Sequence, residues 1–184
     1  MRRFVALLFA LVVPLLAAAG PKPWVFHRDA SRIEMSIRAF GGSHTGRFED
    51  WPSSVLLDPE HPESARASVT VQAASLRMSS AIATRRAIGP SFLDAARYPV
   101  IRFDLKSLEP LGADRYTARA DITMKGRTRE IVFPLDLRVS GQRAHLTGAL
   151  TLDRADFEIG TSGPWNALVG RQVTVRVALQ ARPA

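Results

Sequence analysis

Ile33-Glu34-Met35-Ser36-Ile37-Arg38-Ala39 alternates apolar and polar residues without a break. A period of two puts Ile33, Met35, Ile37 and Ala39 on one face of a strand and Glu34, Ser36 and Arg38 on the other. The rhythm returns along the chain. Val69, Val71 and Ala73 alternate with Thr70 and Gln72, and Ile101, Phe103 and Leu105 alternate with Arg102, Asp104 and Lys106. Downstream come Ile131, Phe133, Leu135 and Leu137, then Leu146, Gly148, Leu150 and Leu152, and last Val173, Val175, Val177 and Leu179. Each run reads as a half-buried strand. Turn residues punctuate them at Gly41-Gly42, Asp58-Pro59, Leu111 to Asp114, Lys125-Gly126, Ser140-Gly141 and Ser162-Gly163-Pro164. Short connections make sequential strands antiparallel neighbours, and roughly eight strands at this spacing make an all-β sandwich or barrel.

One stretch, residues 79–98, lacks the rhythm. Ser80 to Arg86 is expected to start a helical turn, and Phe92 to Arg97 reads as a second short helical piece stopped by Pro99. The stretch is expected to lie across one end of the barrel.

The amino terminus carries an export signal by its pattern. Arg2 and Arg3 precede an unbroken apolar run from Phe4 to Ala19, which ends in Ala17-Ala18-Ala19-Gly20. A basic end, a short apolar helix and small residues at the cleavage point form a secretory signal peptide over residues 1–19. The run contains Pro14 and falls short of the roughly 20 residues that span a bilayer. No Ser or Thr precedes the arginine pair, so it reads as an ordinary basic segment and not as a twin-arginine signal. Cleavage after Ala19 leaves one domain, residues 20–184, in the periplasm. The chain has no cysteine, which excludes a lipobox anchor and any disulfide.

The net charge of +8 falls to +6 without Arg2 and Arg3, so the folded part is basic. Nucleic acid is not the expected partner: export separates the protein from it, and the arginines are scattered singly instead of gathered in a stripe. A solvated cationic surface is the simpler expectation, with peripheral contact to an anionic membrane as the alternative. Catalytic patterns are missing as well. His27, His44, His61 and His145 show no H-x-x-x-H or H-x-H spacing, there is no G-x-S-x-G elbow, and no thiol is available. Asp153 and Asp156 with Arg154 read as a strand-end salt bridge. No catalytic residue, metal site or cofactor is expected.

A barrel of this size holds either its own side chains or one small ligand, and periodicity does not choose between them. Four sequence blocks bear on the choice. Trp24-Val25-Phe26-His27-Arg28-Asp29-Ala30-Ser31 followed by Gly46-Arg47-Phe48 resembles the opening of the YceI-like family. Phe92-Leu93-Asp94-Ala95-Ala96-Arg97-Tyr98-Pro99 resembles that family's most recognisable run. Ala120 to Arg129 is similar to its G-D-L-T-I-x-G-x-T-K hairpin, and Arg154-Ala155-Asp156-Phe157-Glu158-Ile159 to its R-x-D-F-G-I strand. The blocks occur in the family order over nearly all of residues 20–184. The resemblance implies a lipocalin-like antiparallel β-barrel that binds polyisoprenoids or similar long amphiphiles in the periplasm without enzyme activity. The sequence departs from the family at Thr84 to Pro90, where an Arg-Asp and a His-Leu pair are usual, at Phe40 or its neighbours, where a His often follows the first strand, and at Glu158, where a glycine is usual.

Facing and position nominate Met35, Ile37, Phe103, Phe133, Leu135, Val175 and Val177 as ligand-lining residues, with Phe92 and Tyr98 where the helical stretch meets the barrel mouth. Any one of them also reads as plain core; as a set they line whatever cavity exists. Arg85 and Arg86 are candidates for a phosphate or carboxylate head group, which guanidinium binds in a planar fork; a solvated loop explains them too. Trp24 and Trp165 are placed as plugs of the barrel ends. The alternative to a lipid carrier is a cationic envelope protein with a filled barrel that contacts anionic lipid or a protein partner through its surface.

Overall fold

Period-two alternation produces the sheet that it predicts. The computed structural model describes residues 20–184; the predicted signal peptide lies outside the described residues. Chain order is β1 (Lys22–Phe26), β2 (Arg32–Ala39), β3 (Gly42–Phe48), β4 (Ser53–Leu57), β5 (Arg66–Gln72), β6 (Leu76–Met78), α1 (Ala81–Ile88), β7 (Val100–Gly112), β8 (Arg115–Met124), β9 (Arg127–Ser140), β10 (Arg143–Asp153), α2 (Trp165–Leu168) and β11 (Val169–Pro183).

Every pairing is antiparallel. The ring runs β1-β4-β5-β7-β8-β9-β10-β11, and β11 pairs with β1 again through Phe26↔Ala181 and Trp24↔Pro183, closing an eight-strand barrel. The remaining segments β2, β3 and β6 extend the same wall. β1 and β2 are two halves of one path, both pairing with β11 and separated by a 3₁₀ turn at Arg28–Ala30. β3 and β4 continue each other in the same way, as do β5 and β6 across the 3₁₀ turn Ala73–Ser75. The meander is therefore simple, each path pairing with the next.

The hairpins β2–β3 and β8–β9 turn on two residues each, Phe40-Gly41 and Lys125-Gly126, all with positive φ. Such turns match the twist of the flanking strands. In β3, Gly46 is required by its neighbours: a Cβ there would stand 2.9 Å from Leu76 Cδ1 and meet the Met78 sulfur.

Two expectations need correction. Phe92 to Arg97 does not form a helical piece. Asp94 adopts φ +50, which breaks the right-handed path, and the segment closes as turns in which the Ala95 amide donates to the Ile88 carbonyl at 2.9 Å and the Tyr98 amide to that of Asp94 at 2.8 Å. The Arg154 block is likewise not a strand but a 3₁₀ turn over Arg154–Phe157, capped by the Asp153 carboxylate, which accepts from the Ala155 amide at 2.9 Å.

The barrel has a closed end and an open end. At the closed end lie the chain termini of the domain, the 58–65 loop and the β7–β8 and β9–β10 turns. Trp24, Leu57, Leu108, Tyr116 and Ala144 are buried there. At the open end α1, the turns after it, the Phe40 turn, the Arg154 turn and α2 form a rim.

Candidate functional site

Inward positions of the alternating strands enclose a cavity of about 510 Å³. That lies within the range of roughly 300–1,000 Å³ typical of small-molecule sites. Its walls are Met35 and Ile37 from β2, Phe103 from β7, Phe133 and Leu135 from β9, and Val175 and Val177 from β11. Phe133 and Leu135 are buried, whereas Met35, Ile37, Phe103, Val175 and Val177 are only half-buried. These five face empty space where core residues would face atoms. Phe103 meets Phe133 edge to face, with ring centroids 6.3 Å apart. A barrel filled by its own side chains, the alternative expectation, would leave no cavity of this size.

The cavity is apolar over nearly all its surface. The polar side chains that border it are His44, Ser80, Arg86 and Arg154, with no carboxylate among the described residues. Three of the four do structural work. Ser80 caps α1, accepting from the Ala83 amide at 3.1 Å, and His44 Nε2 lies 3.1 Å from the Ala39 carbonyl.

Arg86 is the exception, and it stands at the mouth. Its guanidinium carbon sits 4.7 Å from the centre of the Trp165 ring and 6.0 Å from that of Phe40. Phe92 and Phe40 each approach Trp165, at 5.8 and 6.4 Å between ring centroids. The opening is thus framed by three aromatic rings and one arginine, each from a different part of the chain. Stacking on a ring face leaves the N–H edge of a guanidinium available for a planar acceptor.

Arg154 is only 1% exposed and carries the rim from below. All its donors end on backbone carbonyls: Nε to Gly170 at 2.9 Å, one terminal nitrogen to Ile159 and Gly160 at 2.8 Å each, the other to Val169 at 2.6 Å and Asn166 at 3.4 Å. Burial pushes its pKa below the ordinary guanidinium value, and the nearby Asp153 carboxylate offsets only part of that loss of water. It does not pair with Asp153, as its sequence neighbourhood implied. Arg171 takes that carboxylate at 2.6 Å and holds the Asp153 pKa below the usual carboxylate range. The polarity of Arg154 hid its role; five carbonyls converging on one side chain is a tertiary feature without a local pattern.

Of the nominated residues, Met35, Ile37, Phe92, Phe103, Phe133, Leu135, Val175, Val177 and Arg86 border the cavity. Tyr98 does not: its ring lies under Arg97, 5.3 Å from the guanidinium carbon, and packs beside Gly126 of the β8–β9 turn. Arg85 points away from the cavity into solvent. Trp24 borders the cavity at its closed end and Trp165 frames the mouth. Phe40 and His44 are rim residues that alternation alone did not single out.

Comparison with known proteins places this architecture. The sequence pattern of the YceI-like domain family matches residues 24–181. A UPF0312 protein of Pseudomonas syringae pv. tomato is 28% identical over 149 residues, covering 77% of this chain and 78% of that protein. Among solved structures, Burkholderia cenocepacia BcnA superimposes with a TM-score of 0.79 at 22% identity, over 85% of this chain and 99% of that one. A polyisoprenoid binding domain from Saccharophagus degradans, implicated in plant cell wall breakdown, gives a TM-score of 0.70 at 17% identity, over 89% and 99%.

Proposed function

This chain belongs to the YceI-like domain family, and from that premise we propose that it is a periplasmic carrier that shields a long isoprenoid or similar amphiphilic lipid inside its barrel and performs no chemistry on it. The observation that carries the reading is the apolar cavity of about 510 Å³ inside a closed eight-strand wall. Burial of each methylene-sized unit of a ligand there is worth about 0.8 kcal/mol, so a chain is held by length without polar contacts. The polyisoprenoid binding domain of Saccharophagus degradans, which shares the fold, supports the choice of ligand class. Met35, Ile37, Phe103, Phe133, Leu135, Val175 and Val177 contact the chain, and Phe92 contacts it near the mouth. Arg86, stacked on Trp165, meets the polar end of the ligand with its free N–H edge.

Titration with a fluorescent long-chain acyl probe tests the reading. One saturable site is expected, with the probe displaced by a prenyl alcohol and Arg86→Gln weakening anionic probes more than neutral ones. Failure to take up any acyl or prenyl probe overturns the carrier reading.

A further inference from the structure

The rim of the barrel mouth carries features that the cavity does not require. Large apolar side chains stand in solvent there: Phe40 is 54% exposed, Ile82 on α1 63% and Leu168 at the end of α2 46%. They are close to one another and to the opening. The Phe40 amide donates to the Leu168 carbonyl at 3.1 Å, and Phe40 and Ile82 both border the cavity. Phe40 also holds φ +53, a conformation that suits glycine or asparagine better than a phenylalanine. An aromatic kept both exposed and strained fits a contact made outside the molecule.

Charge follows the same axis. Arg38, Arg85, Arg86 and Arg97 surround the mouth without a carboxylate partner among the described residues, and the rim carboxylates Asp153 and Glu158 are taken by Arg171 and Arg127. Asp94 and Asp156 alone oppose the free arginines there. At the closed end Lys22, Arg66, Arg115, Arg138, Arg143 and Arg182 are offset by Asp58, Glu60, Glu63, Glu109, Asp114 and Asp136, and Arg138 is paired with Asp114 at 2.8 Å. The excess positive charge of the domain is therefore concentrated around the opening.

We propose that the barrel docks mouth-first on an anionic lipid bilayer, with Arg38, Arg85 and Arg97 against the head groups and Phe40, Ile82 and Leu168 entering the interface. Docking in this orientation lets a lipid pass between bilayer and cavity without crossing water. The proposal rests on the lipid-carrier reading, since it gives the mouth a lipid to exchange. An anionic surface attracts basic side chains within a Debye length and apolar tips anchor among the head groups, so both parts of the rim find a partner in one surface.

The test is flotation of purified protein with phosphatidylcholine vesicles, with and without phosphatidylglycerol. Arg38→Glu/Arg85→Glu alters the rim outside the cavity lining, and Arg143→Glu/Arg182→Glu makes the same change of net charge at the closed end. Wild type is expected to bind the anionic vesicles and leave the neutral ones. The rim variant should lose about tenfold or more in partitioning, and the closed-end variant about twofold at most. Brominated lipid should quench Trp165 and spare Trp24, a readout that needs no charge variant. Absence of binding to anionic vesicles, or equal loss in the two variants, overturns mouth-first docking. Titration of the same proteins with the acyl probe in vesicle-free buffer separates the two readings. Probe uptake without vesicle binding defeats docking alone; no probe uptake by wild type defeats the carrier reading beneath it.

Discussion

Replacing Arg154 with methionine keeps most of the side-chain volume and removes every donor. The bonds to the Gly160 and Val169 carbonyls are fully buried, those to Gly170 and Ile159 are partly buried, and the one to Asn166 is at the limit of length. A buried carbonyl left without a donor costs about 1–3 kcal/mol, so the two buried ones together cost about 2–6 kcal/mol. Relief of the desolvated cation returns part of this, because a buried charge is itself expensive. A net loss of about 3 kcal/mol is expected. For a domain of this size each kcal/mol shifts Tm by about 2–4 °C, which places the variant about 6–12 °C below wild type. Urea unfolding measures the free energy, with an unchanged slope indicating that the folded and unfolded states keep their compactness. Arg154→Lys retains the charge but not the planar set of donors, and should fall between the two. Hydrogen exchange should quicken at residues 159–169 before it quickens in β8. A methionine variant within about 0.5 kcal/mol of wild type would refute the claim that this guanidinium holds the rim together.

Other consequences follow from the same geometry. Val175→Trp places a large ring in empty space; stability should change by less than about 1.5 kcal/mol, while probe affinity drops at least tenfold by titration. Glu158 holds φ +53 and pairs with Arg127, so Glu158→Gly relieves a left-handed conformation worth about 1–2 kcal/mol and gives up an exposed ion pair worth at most about 1 kcal/mol. Net stabilisation that grows with salt is expected in urea unfolding, and destabilisation at high salt would contradict it. Asp153 has its pKa held low by Arg171 and the Ala155 amide. Its contribution is therefore present at neutral pH and is lost as pH falls through and below the carboxylate range, so Asp153→Asn should flatten the acid limb of the stability profile. An acid limb unchanged by the substitution would exclude that contribution.

The strands that alternated cleanly in the sequence are those with large inward side chains, such as Met35, Ile37, Phe103, Phe133 and Val175. Where the inward residues are small the pattern fades: β8 turns Tyr116, Ala118, Ala120, Ile122 and Met124 inward, and its alanines, with no exposure at all, are too small to mark a face. β3 is quieter still, because Gly46 must leave room for Leu76 and Met78. The breaks that split three strand paths into halves come from short 3₁₀ turns and a loop around Trp51, whose causes lie in packing, as in the edge contact of Trp51 with Phe26 at 5.7 Å. Wall residues were legible because facing follows from parity. The mouth was less so: Phe40, Phe92, Trp165 and Arg86 come from four separate segments, and only the closed barrel brings them within about two ring widths of each other. Tyr98 follows Asp94, whose positive φ turns the backbone, and packs beside Gly126 of the β8–β9 turn without bordering the cavity.

Native mass spectrometry tests the central claim most directly, on protein recovered without detergent from a periplasmic extract and followed by organic extraction of whatever travels with it. The account predicts a discrete adduct that extracts as a prenyl or acyl lipid and is absent from Val175→Trp prepared in parallel. A bare protein mass that stays unchanged after incubation with prenyl lipids would contradict it.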